Sequence, residues 1–249
     1  MSNHTIVAHR GASSYATDNT IDSYTLAAAQ GAQMIELDIR RTSDGQLLVF
    51  HDSTIPIPGE CEQRVERLTL DALLDIPLAK GERIPRWEDV LALAKELDVG
   101  IYIELKDTDP ALTTHLVNTL REARWLDRCI LLGSRPDHVF FVREIAPEAQ
   151  TAFSYRNASI DPILIAQACN ATGLNLAWED YPDPCALITP AWLARVRAAG
   201  LRIMSWHEER EPVMRQLVAL GIEDLCTNDP AMTRRAIEAV GATLAPRAG

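Results

Sequence analysis

Residues 35–52 read IELDIRRTSDGQLLVFHD. Ile35, Leu37 and Ile39 are apolar, while Glu36 and Asp38 fall between them. Side chains alternate along a strand, so the three apolar residues share one face. Met34, Glu36 and Asp38 share the other. Asp44–Gly45 reads as a tight turn that feeds a further short strand ending at His51. Two carboxylates and a histidine in apolar surroundings are costly to bury unless something compensates them.

The same alternation recurs in GIYIELK, residues 100–106. There Ile101, Ile103 and Leu105 share a face, and Tyr102, Glu104 and Lys106 share its opposite. Eight strand-like segments can be read along the chain: TIVAH, QMIELDI, GIYIELK, CILLG, QTAFS, GLNLAW, LRIMSW and EDLCTN. Helical patterns lie between most of them, over 20–30, 87–97, 110–124, 136–145, 161–169, 190–199, 212–220 and 230–240. Several open on proline, whose missing N–H costs nothing in a first turn, and several end at glycine, as at Gly31, Gly200 and Gly221. Alternation of this length predicts a closed parallel barrel inside a helical ring, all in one α/β domain. An open doubly wound sheet fits less well, because HRGAS after the first strand holds one glycine and no Gly-rich phosphate loop. Residues 40–86 break the rhythm as a long excursion between the second strand and the following helix. Such an excursion contributes to a site or covers it. Within it, IPIPGECEQRVERL reads as polar and punctuated, and the tail GATLAPRAG reads as frayed.

The formal charge of −11 argues against a broad nucleic-acid or anionic-membrane surface. A small anionic substrate remains open to a local site of opposite sign. Cys61, Cys129, Cys169, Cys185 and Cys226 form no CxxC and read as buried or bystander thiols in a reducing compartment. No leader pattern opens the sequence, and no apolar run approaches the roughly 18 residues that span a bilayer. A cytoplasmic protein without stable membrane insertion is the expectation.

In a barrel the apolar strand faces pack on the helices and the charged faces point inward near the strand C-termini, where such barrels place their chemistry. Glu36 and Asp38, two apart, lie about 6.5–7 Å apart at the backbone and can converge on one cation. Glu104 supplies a third oxygen ligand from another strand. An all-oxygen set suits Mg²⁺ or Ca²⁺, with Mn²⁺ a further candidate, over Zn²⁺. The plainer reading pairs these carboxylates with Arg40, Arg41 or Lys106; its repetition on two strands favours the metal. His9 and His51 each end a strand and together offer the acid and base of proton-transfer chemistry. His115 and His138 fall in helical patterns and read as surface residues. Arg10 and Lys106 are candidate anion clamps that also balance the carboxylates. Trp206 ends the seventh strand, either against substrate or as a cap on the core. No cysteine nucleophile, serine elbow or nucleotide loop is evident.

These residues together resemble the glycerophosphodiester phosphodiesterase family. Its ordered pattern corresponds to HRG (9–11), TDNT (17–20), ELD (36–38), SDG (43–45), HD (51–52), ELK (104–106), Trp206 and GIEDLCTNDP (221–230). The resemblance covers nearly the whole chain. It implies a (β/α)8 TIM barrel with an excursion after the second strand. It also implies a divalent metal on Glu36, Asp38 and Glu104, acid–base roles for His9 and His51, and phosphate contacts from Arg10 and Lys106. The implied reaction is hydrolysis of a glycerophosphodiester to glycerol 3-phosphate and an alcohol. Departures fall at Thr17 and Asp18, at residues 53–63, at His207–Glu209 and at Asn228, around the leaving alcohol. Phospholipase D-like action on lysophospholipids and a silent phosphate-binding barrel are the rival readings.

Overall fold

The structure is a computed structural model that describes residues 3–59 and 61–246. β1 (Asn3–Ala8) and β2 (Met34–Arg41) flank α1 (Ile21–Ala29). β2 turns back into β3 (Leu47–Val49), followed by β4 (Thr54–Ile55), β5 (Gln63–Arg64) and α2 (Leu70–Leu74). Next come α3 (Trp87–Glu96), β6 (Gly100–Leu105), α4 (Pro110–Glu122), β7 (Cys129–Gly133) and α5 (Pro136–Ile145). β8 (Gln150–Tyr155), α6 (Pro162–Ala168), β9 (Gly173–Leu176) and α7 (Pro190–Ala198) continue the alternation. β10 (Arg202–Ser205), α8 (Glu211–Leu220), β11 (Asp224–Thr227), α9 (Pro230–Val240) and β12 (Thr243–Leu244) complete it.

Eight of these strands form a parallel circle, which β1 closes by pairing with both β2 and β11. The expected (β/α)8 barrel is therefore present, within a residue or two at most element ends. Strand faces divide as the alternation required. Ile35, Leu37, Ile39, Ile101, Ile103 and Leu105 join the core between sheet and helices. Each such side chain contributes about 1.5–3 kcal/mol when fully buried. Inside the barrel, Val7, Tyr102, Ile130, Leu132, Met204 and Cys226 form an apolar plug. Polar groups at the two ends of the lumen are thereby separated from each other.

Helix starts follow local chemistry. Thr20, Asp109, Asp161, Thr189 and Asp229 each accept a backbone N–H at an N-cap, and the six helices α4 to α9 each place proline in the first turn.

Three expectations need correction. The excursion is more ordered than its punctuation suggested. Beyond the expected short strand, β3, which pairs antiparallel with β2, β4 pairs with β5, and Leu48, Ile55, Val65, Leu73, Ile76 and Ile84 make a satellite core. The tail is not frayed throughout: β12 pairs with β1, and Ala245 N donates to the His4 carbonyl at 2.8 Å, while residues 247–249 lie outside the described residues. His138 is not a surface residue. It is buried between helices, with Nε2 2.7 Å from the Thr113 hydroxyl of α4. His115 is exposed, as read. Four cysteines are buried and Cys61 is exposed.

Candidate active site

The register of β2 against β6 sets Asp38 beside Glu104 and Glu36 beside Tyr102. All three carboxylates face the lumen at the strand C-termini, and they offer oxygens within 4.8 Å of one another. Glu36 and Asp38 are fully buried. Two cations reach them. Arg10 Nε lies 3.2 Å from Asp38, and Lys106 Nζ lies 2.8 Å from Glu104 and 3.2 Å from Asp38. The backbone N–H of Arg10 donates to Glu36 at 3.0 Å. Asn19 donates to Asp38 at 3.0 Å and is itself fixed by the Tyr24 hydroxyl at 2.9 Å.

Charge in this cluster does not balance. Burial first, then the charges of Asp38 and Glu104, pushes Glu36 well above the usual carboxylate range; Arg10 and Lys106 only partly offset this. Burial also raises Glu104, against the pull of Lys106. Glu36 Oε1 and Glu104 Oε2 are buried without a hydrogen-bond partner. Three convergent carboxylates with orphaned oxygens are the donor set that a hard divalent cation takes. The residues present therefore fit the metal that the fold family implies.

His9 sits in the same corner. Its Nδ1 donates to Asn228 Oδ1 at 2.7 Å, which leaves Nε2 facing Glu36 at 4.0 Å without a hydrogen-bond partner. Burial, followed by the charges of Arg10 and His207, pushes His9 well below the usual imidazole range. The turn after it is tightly specified. Gly11 has φ +89°, and a Cβ there would lie 2.7 Å from the Ser23 carbonyl carbon. This close approach presents the Arg10 N–H to Glu36. His51, at the end of the β3 return, is part exposed; its Nδ1 bonds Asp52 at 2.7 Å and its carbonyl accepts from Arg40 Nε. The N–H of the preceding residue, Phe50, donates to the Asp38 carbonyl at 3.1 Å, so the return after β3 brings His51 to the carboxylate end of the barrel.

Trp206 is 7% exposed and belongs to the apolar plug. Its ring meets His9 edge-on at 5.4 Å, and Lys106 Nζ stands 5.9 Å from its centre. It caps the core and forms the floor beneath two site residues at once.

The sequence reading named the carboxylates, both histidines, Arg10, Lys106 and Trp206, and the fold gathers them at one end of the barrel. It missed the supports. Asn19 lies in TDNT with a left-handed backbone (φ +55°), a conformation asparagine favours; an asparagine just before the Thr20 helix cap is the signal that the sequence offers. In the sequence, Asn228 and His207 stand out only as departures from the family pattern. Asn228 holds His9 together with the Ser13 hydroxyl, which lies 2.7 Å from the same amide oxygen. His207 stacks on the His9 ring at 4.4 Å. Glu209 accepts from the Asn228 N–H at 2.6 Å, and Glu208 is held by Arg210 through two nitrogens.

Comparison with known proteins agrees with this geometry. A glycerophosphodiester phosphodiesterase of Caldanaerobacter subterraneus subsp. tengcongensis is 27% identical over 235 residues, covering 90% of this chain and 94% of its own. The crystal structure of a glycerophosphodiester phosphodiesterase from Agrobacterium tumefaciens superposes with a TM-score of 0.80 at 25% identity, over 93% of this chain and 99% of that one. A phosphodiesterase from Oleispira antarctica, solved in complex with sn-glycerol-3-phosphate, shares the fold with a TM-score of 0.83 at 18% identity, over 94% and 96%. The model of the glycerophosphoryl diester phosphodiesterase family matches residues 9–232, from the histidine that opens the site to the last helix, and the chain belongs to that family.

Proposed function

We propose that the protein hydrolyses glycerophosphodiesters to glycerol 3-phosphate and an alcohol, with a divalent cation held by Glu36, Asp38 and Glu104. The observation that carries this reading is the unbalanced cluster: three inward carboxylates with orphaned oxygens, flanked by two histidines and two cations. A bound Mg²⁺, Ca²⁺ or Mn²⁺ supplies Lewis-acid stabilisation of phosphoryl charge. Arg10 and Lys106 hold the phosphate and orient it, as a fork and a point charge. Trp206 keeps water from the floor beneath them. His9 and His51 form the proton-transfer pair. One removes the proton of the attacking hydroxyl and the other protonates the departing alkoxide; attack by water gives glycerol 3-phosphate directly, and attack by the glycerol 2-hydroxyl gives a cyclic phosphate that water then opens. Asn228 and Asp52 fix the tautomer and aim of the two rings. The Oleispira antarctica phosphodiesterase of the same fold was solved with the product named here.

The test is an assay on glycerophosphodiesters with and without chelator, beside His51→Ala. Chelation is expected to abolish turnover, and added divalent metal to restore it. His51→Ala is expected to slow turnover by about 10²–10⁴-fold. Full activity in chelator overturns the metal, and normal turnover by His51→Ala overturns the acid–base pair.

A further inference from the structure

We infer that a polar cleft beside His9 receives the leaving alcohol, and that it selects a polyol over a quaternary-ammonium alcohol. This rests on the hydrolysis proposed above. The cleft has a volume of about 570 Å³. Ser13, Thr17 and Asp18 line it from the loop after β1, Lys80 from the excursion, and His207 and Asn228 from the loops after β10 and β11. His9 and Arg10 are the wall it shares with the carboxylates: both border the cleft, and both reach Glu36. A diester bound across that wall has one arm over the carboxylates and the other in the cleft.

The chemistry of the lining decides which alcohol fits. A quaternary ammonium has no N–H to donate and is held by the faces of Trp, Tyr or Phe. None of these three lines the cleft among the described residues. Lys80 adds a repulsive charge, since its Nζ bonds a neutral group, the Tyr15 carbonyl, at 3.3 Å. Vicinal hydroxyls both donate and accept, and here they meet an ammonium, a part-exposed carboxylate at Asp18, and the oxygens of Ser13 and Thr17. Asp18 is placed by Arg10 Nη1 at 3.3 Å. Of the positions that depart from the family pattern, Thr17, Asp18, His207 and Asn228 line this cleft, while those at 53–63, Glu208 and Glu209 do not.

The experiment compares kcat/KM of the full chain, with metal, on glycerophosphoglycerol, glycerophosphoinositol and glycerophosphocholine, and on a micellar lysophosphatidylcholine. Lys80 is exposed and left-handed (φ +59°), so Lys80→Asn removes its charge without added backbone strain, and Lys80→Glu reverses it. The polyol diesters are expected to lead glycerophosphocholine by about tenfold, the worth of one charged hydrogen bond. Lys80→Asn should lower that ratio and Lys80→Glu lower it further, at unchanged Tm. Equal or better turnover of either choline substrate overturns the inference while leaving the hydrolysis standing. So does a ratio that neither variant moves. No turnover of any diester overturns the proposed function and this inference with it.

Discussion

The lumen holds buried charge at both ends, and the two ends settle it differently. At the N-terminal end, Asp224 is fully buried and receives Arg202 through two nitrogens, with a further bond from Arg202 Nη2 to the Thr5 hydroxyl at 3.0 Å. Burial works against the Arg202 charge, but the hydrogen bonds and charge of Asp224 outweigh it and hold the guanidinium more firmly protonated. At the C-terminal end, three carboxylates share two cations and keep orphaned oxygens. A closed account reads as structure. An open one reads as a site waiting for a charged ligand, and the strain on Glu36 is what that readiness costs.

That contrast can be broken by substitution. Glu36→Gln removes a proposed metal ligand and one carboxylate from the cluster together. Activity is expected to fall about 10³-fold, while the metal-free protein gains about 1 kcal/mol, a rise of about 2–4 °C in Tm. Thermal melts in chelator and an activity assay check both halves, and a lower Tm would show that the cluster is not in charge excess. Arg202→Met does the reverse, leaving Asp224 buried without its partner. A loss of about 2–4 kcal/mol is expected, below the fully buried range because Arg202 is part exposed. Turnover at 25 °C should change by less than about twofold at this distance from the chemistry. Unchanged Tm would mean that the lower end is not held by this pair.

The smallest effect concerns His138, away from both ends. Burial lowers its pKa below the ordinary imidazole value, so the fold prefers the neutral ring. The stability this gives is complete above about pH 6.5 and is lost as pH falls towards the lowered folded value. His138→Gln keeps a group able to bond Thr113 but does not titrate. Its Tm should therefore decline less than that of the parent between pH 7 and pH 5; parallel declines would assign the loss to other groups.

The barrel was legible because strand and helix periods differ, and each apolar face had a single place to go. The metal-binding candidates were legible for the same reason, since carboxylates interleaved with isoleucine and leucine declare which side is core. The excursion was not, because β4 and β5 span two residues each and α2 five, too few to show a period. The partner of His9 was not either. Asn228 lies 219 residues away and meets it only once β11 pairs with β1. His138 shows the opposite failure: a helical pattern shows that one face is buried, but not that Thr113 of α4 will be there to satisfy an imidazole.

The pairing of Asp38 with Glu104 has one more consequence. A shift of β2 by one residue would turn Ile35, Leu37 and Ile39 into the lumen and Glu36 and Asp38 into the helical layer. Fold and chemistry are thus written on the two parities of a single strand. A single-residue insertion or deletion there acts as a frame error that the core detects before catalysis is ever tested. A chain that folds this strand in register turns positions 36 and 38 towards the lumen, whatever residues occupy them.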